Sequence, residues 1–303
     1  MKELILSGLF AALFIGGVQS QYNKSAGQNI VSEDVSRSVY DEQTQTHKIV
    51  TESREVSADS YGNAAGNQYD LAIDGAFEGQ TIAVLHFYTG GGFDFSLPTA
   101  SLKEKGFSVY RWINNPPSPE ALDSALAKSC QLWIISSSSQ RLNLEHAKVI
   151  KKFFDSGKGV YLWGDNQPYY ADANFIADQL INAKMNGDIP GDKTVGILQN
   201  GSKSGIMPNH LITTGLQNIY EGGTIATIAD HKDLTPIVYG SAGNLVTATY
   251  EKDGKRLIID GGFTRLYYKW DSAGTDRYVK NAAAWLVNYE RFGDVVLAEK
   301  EGK

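Results

Sequence analysis

Residues 81–95 read TIAVLHFYTGGGFDF, and the fold is decided there. The apolar run Thr81–Phe87 is short, unbroken and rich in β-formers, the pattern of a strand buried on both faces. Gly90, Gly91 and Gly92 then free the backbone to turn, and the spacing beyond predicts a helix near Leu97–Lys105. The same unit recurs downstream. Phe107–Trp112 is a second strand, followed by Asn-Pro-Pro and a helix over Pro119–Lys128 with Ser118 at its N-cap. Leu132–Ile135 is a third strand. Leu144–Phe154 carries apolar residues at helical spacing and stops at Gly157, where a left-handed residue ends a helix cheaply. Gly159–Trp163 is a fourth strand.

Strands joined by helices run parallel with right-handed crossovers. The expected fold is therefore α/β, a doubly wound, mostly parallel flavodoxin-like sheet with helices on both faces. A helix over Asp172–Ala183 and strands near Val195–Leu198, Thr224–Ile228 and Pro236–Tyr239 follow. Leu245–Tyr250 and Arg256–Asp260 form a hairpin across Lys252-Asp253-Gly254, and Asp276–Tyr289 is the last helix.

Before Gln80 the character is different. Residues 21–79 are rich in Ser, Gln, Asn, Thr, Asp and Glu with apolar residues scattered singly, which predicts a polar arm, flexible or extended. Val31, Val35, Val39, Ile49 and Val56 alternate weakly, so a ribbon is one form it can take. Residues 1–20 read as a signal peptide: Lys2, an apolar run from Leu4 to Val18 too short to span a bilayer, then Gly16, Gly17 and Ser20 near the cleavage point. This predicts a secreted or extracytoplasmic protein with no transmembrane span once the leader is removed. Residues 80–290 form the α/β domain and 291–303 a charged tail.

With a formal net charge of -6 and no cluster of Lys and Arg, the chain is not expected to grip nucleic acid. Cys130 is the only cysteine, which excludes an intramolecular disulfide and a Cys-based zinc site. Five histidines without a pair at helical ligand spacing argue against a His-based one. No Cys- or His-based metal site is expected, and the sequence identifies no cofactor.

Ligands of open parallel sheets bind beyond the carboxyl ends of the strands, so those loops hold the candidate residues. After the first strand come Tyr88, Gly91 and Asp94, in a glycine run that is either a plain turn or a loop approaching a ligand. Ser137 lies in the hydroxyl row 136–139, which can bind a sugar or cap a helix. After the fourth strand, Asp165, Asn166 and Tyr169 form the densest polar and aromatic cluster, suited to a polyol or a hard cation. Asp172 beside them reads as a helix cap. Asp260 and Arg265 end the last strand, with Trp270 beyond them, placed to stack on a sugar or to pack the last helix. His210 is a possible base.

The segments GKGVYLWGDN (157–166), NHLITTGLQNIYEG (209–222) and GKRLIIDGGF with WDSAGTDRYVKNAAAWLVN (254–288) resemble the class I glutamine amidotransferase-like superfamily, in its trehalose-utilisation (ThuA-like) branch. The resemblance covers roughly 80–289 and implies the fold above. It departs from the family at Leu211, where Pro is familiar, and near Thr275, where Asn is common. The Cys-His-Glu triad is not reproduced: the nucleophile elbow reads Trp163-Gly164-Asp165-Asn166, and Leu211 and Ile212 follow His210. Without a thiolate, glutamine hydrolysis has no nucleophile of the required kind. The expected function is binding of a carbohydrate or polar small molecule, with Asp165, His210 and Asp260 as the residues able to carry chemistry. The alternatives are a sugar hydrolase using Asp165 with a second carboxylate, and an extracellular structural or matrix protein.

Overall fold

The computed structural model describes residues 22–23, 32–271 and 274–293. The leader at 1–20 and residues 294–303 of the tail lie outside them. In chain order the strands are β1 (Ser32–Asp41), β2 (Thr46–Glu55), β3 (Thr81–His86), β4 (Ser108–Ile113), β5 (Gln131–Ile135), β6 (Gly159–Trp163), β7 (Met185–Pro190), β8 (Thr194–Gly196), β9 (Gly205–Ile206), β10 (Asn218–Tyr220), β11 (Thr224–Ile228), β12 (Leu234–Tyr239), β13 (Leu245–Lys252) and β14 (Lys255–Asp260). The helices are α1 (Ser96–Glu104), α2 (Pro119–Leu126), α3 (Leu144–Asp155), α4 (Ala171–Ile181) and α5 (Thr275–Leu286).

The main sheet has eight strands in the order β4-β3-β5-β6-β14-β13-β12-β9. From β4 to β14 neighbours are parallel; from β14 to β9 they are antiparallel. Counted along the chain, the five parallel strands stand in the flavodoxin-like order 2-1-3-4-5, which reverses between β3 and β5. Alternate residues of the central strands face opposite layers. Ile82, Val84, Trp133, Tyr161 and Ile258 pack under α1 and α5. Ala83, Leu85, Leu132, Val160 and Ile259 pack under α2, α3 and α4. Both faces are thus buried, each large apolar side chain contributing roughly 1.5–3 kcal/mol.

The helix ends follow local chemistry. The Ala121 amide donates to the Ser118 hydroxyl at 3.3 Å, and Gly157, at φ 96°, turns the chain away from the end of α3. The expected strand at 195–198 is shorter and stands apart from the sheet, as β8 paired with β10; β7 and β11 form a second small ribbon.

The arm differs from expectation over its second half. β1 and β2 pair as an antiparallel ribbon, but residues 63–77 belong to the packed body. Leu71, Ala72, Ala76 and Phe77 enter the core beneath α1 and α5, and Phe77 stacks on Phe107 with ring centroids 4.7 Å apart. Asp70 pins the segment: buried, it pairs with Lys105 at 2.8 Å and with Arg277 at 2.8 Å. The Leu71 amide donates to Asn281 at 2.7 Å. No helix among the described residues is long and apolar enough to cross a membrane.

Candidate functional site

The carboxyl edge of the parallel sheet gathers most of the expected residues. Beyond β6, Gly164 has room for no Cβ, which would come within 2.8 Å of both Met185 and Tyr170. The loop then closes on itself: the Asp165 amide donates to the Tyr169 carbonyl at 3.2 Å and the Tyr169 amide to the Asn166 carbonyl at 2.8 Å. This turns the Asp165 carboxylate, only 1% exposed, toward the loop after β14 and the start of β11. Its Oδ1 accepts from the Thr224 hydroxyl at 2.6 Å and the Asn166 amide at 2.9 Å, and its Oδ2 from the Thr264 amide at 3.1 Å. Thr224 also lies 2.8 Å from the Asn166 side-chain oxygen. Burial pushes the Asp165 carboxyl up to about 6, against the pull of the Thr224 hydroxyl and the two amides.

Three half-buried tyrosines collect at the same edge. The Tyr88 ring stands 5.4 Å from Tyr169, 6.2 Å from Tyr267 and 4.8 Å from Phe263. Tyr267 stacks on Phe93 at 4.7 Å, and its hydroxyl donates to that of Tyr88 at 3.4 Å. Burial first, then the Tyr88 hydroxyl and the Asp165 charge, raise the Tyr267 phenol. Gly91 sits against this group at φ 62°, where a Cβ would press on the Tyr267 ring at 3.1 Å. Ser137 is buried beside the strand-order reversal. Tyr88, Gly91, Asp165, Asn166 and Tyr169 thus meet at one edge.

Other expected site residues have structural work. Asp260 is fully buried: its Oδ2 accepts from Tyr278 at 2.7 Å and Thr247 at 2.9 Å, its Oδ1 from the Gly262 amide at 2.9 Å, and Arg265 pairs with it at 3.2 Å. Arg265, equally buried, lies over the Tyr278 ring and donates to the Glu221 carbonyl. Neither side chain reaches solvent. Asp94 is exposed, and its carboxylate takes the Ser96 amide and hydroxyl, holding the first turn of α1 and lowering its own pKa. Trp270 packs against the core under α5. Asp172 does not cap its own helix; it accepts from the Arg141 and Leu142 amides, both at 2.8 Å. The Ser136 hydroxyl serves α4 instead, accepting from the Ala173 amide at 2.6 Å.

His210 is separated from the two carboxylates. Its ring packs on Trp285 at 5.5 Å, and Trp285 gives its carbonyl to Arg256 near the start of β14, whereas Asp260 ends that strand. Four residues of strand separate the two ends by about 13 Å. His210 Nδ1 accepts from the Ile212 amide at 3.2 Å, and burial pushes the ring down to about 4. Cys130 lies at the amino edge too, before β5, its thiol 3.3 Å from the Thr81 carbonyl.

Thr224 and Thr264 complete the cradle of Asp165, and neither was singled out by the sequence. Thr224 arrives from 59 positions away on a short ribbon, and no local pattern marks it. Among the described residues no group of three His, Cys, Asp or Glu side chains is placed to hold a metal ion.

The sequence matches no protein family and no curated protein. Similar solved structures include an exo-β-1,4-mannosidase from an Opitutaceae bacterium, at 11% identity over 74% of this chain and 35% of that one, TM-score 0.35. A ThuA-like protein from Parabacteroides merdae is 10% identical over 69% of this chain and 90% of that one, TM-score 0.39. The carbohydrate deacetylase Agd3 is 12% identical over 70% of this chain and 32% of that one, TM-score 0.41. This chain spans about a third of the length of the mannosidase and of the deacetylase.

Proposed function

We propose that the chain is an extracytoplasmic binding protein for a carbohydrate or similar polyol, without glutaminase activity. The observation that carries this reading is a buried carboxylate, Asp165, beside the three half-buried tyrosines Tyr88, Tyr169 and Tyr267. Aromatic faces take the C–H face of a sugar ring, while Asn166 and the tyrosine hydroxyls offer hydrogen bonds that fix its orientation. Glutamine hydrolysis is disfavoured by position as well as by residue type. The only thiol is at the amino edge, and the loop beyond β6 presents Asp165.

A second reading, a hydrolase, draws on one specific observation, the elevation of Asp165 to about 6, which suits an acid or base near neutral pH. It loses its second carboxylate, because Asp260 is occupied by buried partners.

Glycan-array screening followed by calorimetry tests the proposal. Binding of a neutral oligosaccharide that weakens about tenfold or more in Tyr88→Ala is the expected outcome. A folded protein that binds nothing on the array, or binds equally well without Tyr88, sinks it. Turnover of a bound sugar that stops in Asp165→Asn with binding retained selects the hydrolase. N-terminal sequencing of protein recovered outside the cytoplasm checks the location.

A further inference from the structure

We propose a second ligand site, a trough between β4 and α2 that takes the pyranose ring of a carboxylate-bearing sugar. β4 is the outermost strand, paired only with β3. Tyr110 and Trp112, two positions apart, share the face on which α2 packs, opposite Ala83 and Leu85 of β3 in register. The wall that α2 presents to them is Ala121, Ser124 and Ala125. These small side chains leave the aromatic pair uncovered, and a cavity of about 520 Å³ remains between strand and helix.

Its chemistry is that of a sugar site. The two rings meet edge to face at 4.7 Å and 84°, and Tyr110 is 53% exposed, so an apolar ring surface faces the trough at the price of contact with water. Two serine hydroxyls line it, Ser124 exposed and Ser129 largely buried. The Ser124 hydroxyl gives its proton to the Glu120 carbonyl and the Ser129 hydroxyl gives its own to Ala125, both at 2.9 Å, so each keeps lone pairs to accept from sugar hydroxyls. The Tyr110 hydroxyl has no hydrogen-bond partner among the described residues. Lys128 lines the same cavity, and its ammonium forms no ion pair among the described residues. An unpaired cation beside an aromatic platform, in a protein of net charge -6, selects a carboxylate on the sugar rather than a neutral ring. Thr81, Lys128 and Ser129 also line an adjoining cavity of about 210 Å³, which leads toward Lys158 and gives room for a neighbouring sugar unit.

This site is independent of the Asp165 edge, and its test separates the two. Trigalacturonate and its carboxyl-reduced, neutral counterpart are titrated calorimetrically into the full chain, and the indole fluorescence change that is lost in Trp112→Phe reports on Trp112. The acidic trisaccharide is expected to bind, and its neutral counterpart several-fold more weakly. Tyr110→Ala should weaken binding roughly five- to tenfold, and Tyr110→Phe should retain most of it. Lys128→Gln should erase the preference for the acidic sugar, and Tyr267→Ala, which alters the Asp165 edge, should leave the acidic sugar's affinity for the trough within about twofold. Absence of binding at millimolar ligand, equal affinity for the neutral sugar, or indifference to Tyr110→Ala overturns the proposal. Loss in Tyr267→Ala with Tyr110→Ala unaffected overturns it too, and places the sugar at the Asp165 edge.

Discussion

The Tyr278 hydroxyl donates to the Asp260 carboxylate across 2.7 Å inside the protein, joining α5 to the end of β14. Tyr161 approaches both, 2.5 Å from the Tyr278 oxygen, and the Arg265 guanidinium closes the cluster from the loop after β14. A buried pair of this kind contributes little net stability, but removing one member leaves an uncompensated charge. Asp260→Ala is therefore expected to cost about 3–5 kcal/mol in urea unfolding. Ligand affinity at a temperature where the variant is still folded should change little, whereas a selective loss of binding or turnover would return Asp260 to the site.

Asp70 extends the same logic to the segment that docks the arm's second half. Its carboxylate faces Lys105 and Arg277, all three largely buried. Asp70→Ala should destabilise by about 3–5 kcal/mol, and limited proteolysis should then open residues 63–77 first. Unchanged stability would mean that the apolar contacts of Leu71 and Phe77 alone hold the segment.

Asp165 makes a prediction in pH. Its folded-state pKa is raised from 3.8 to about 6, so the native state holds the proton more tightly than the unfolded chain. The group's contribution to stability accordingly falls as pH rises through that window. Asp165→Asn, which cannot ionise, should gain on the wild type between about pH 4 and 6, by up to about 3 kcal/mol, and stay level above it. Chemical denaturation of both proteins at several pH values measures the difference. A constant offset across the window would refute the elevated pKa.

His86 and His210 carry the opposite shift. Burial lowers both to about 4; for His86 the nearby Arg111 charge adds to the effect. Their contributions are complete above the usual imidazole range, near 6.5, and fade as pH falls toward 4. Imidazole NMR should show both rings neutral at pH 5.5, with His210 carrying its proton on Nε2, since Nδ1 accepts from Ile212. A His210 titration midpoint near 6.5 would contradict the burial.

Gly91 tests the aromatic edge without removing a polar group. A methyl there meets Tyr267 at 3.1 Å on a backbone with φ of 62°. Gly91→Ala should displace Tyr267 and weaken sugar binding at that edge, with about 1–2 kcal/mol lost in stability. Unaltered binding would remove the loop from the site.

The five parallel strands and their helices were legible because each buries alternate residues against a helix layer, leaving unbroken runs such as Gln131–Ile135 and Gly159–Trp163. Leu71 and Phe77 were not, because single apolar residues in a polar stretch have no period, and only the Asp70 pairing across the chain makes the docking visible. At the site, Asp165, Asn166, Tyr88 and Tyr169 could be placed from the rule for strand ends. His210, Arg265 and Asp260 could not be sorted, since the same residue types serve a cleft or a buried cluster and only neighbours distant in sequence decide which. Thr224 had no local mark at all.

The pairing of Leu257 with Val160 has one more effect. The fifth parallel strand comes from the last part of the chain, so β6 has no partner on that side until β14 is in place. Nascent chains that stall before β14 should consequently be clients of chaperones, and C-terminal truncation should give aggregation rather than a smaller soluble protein.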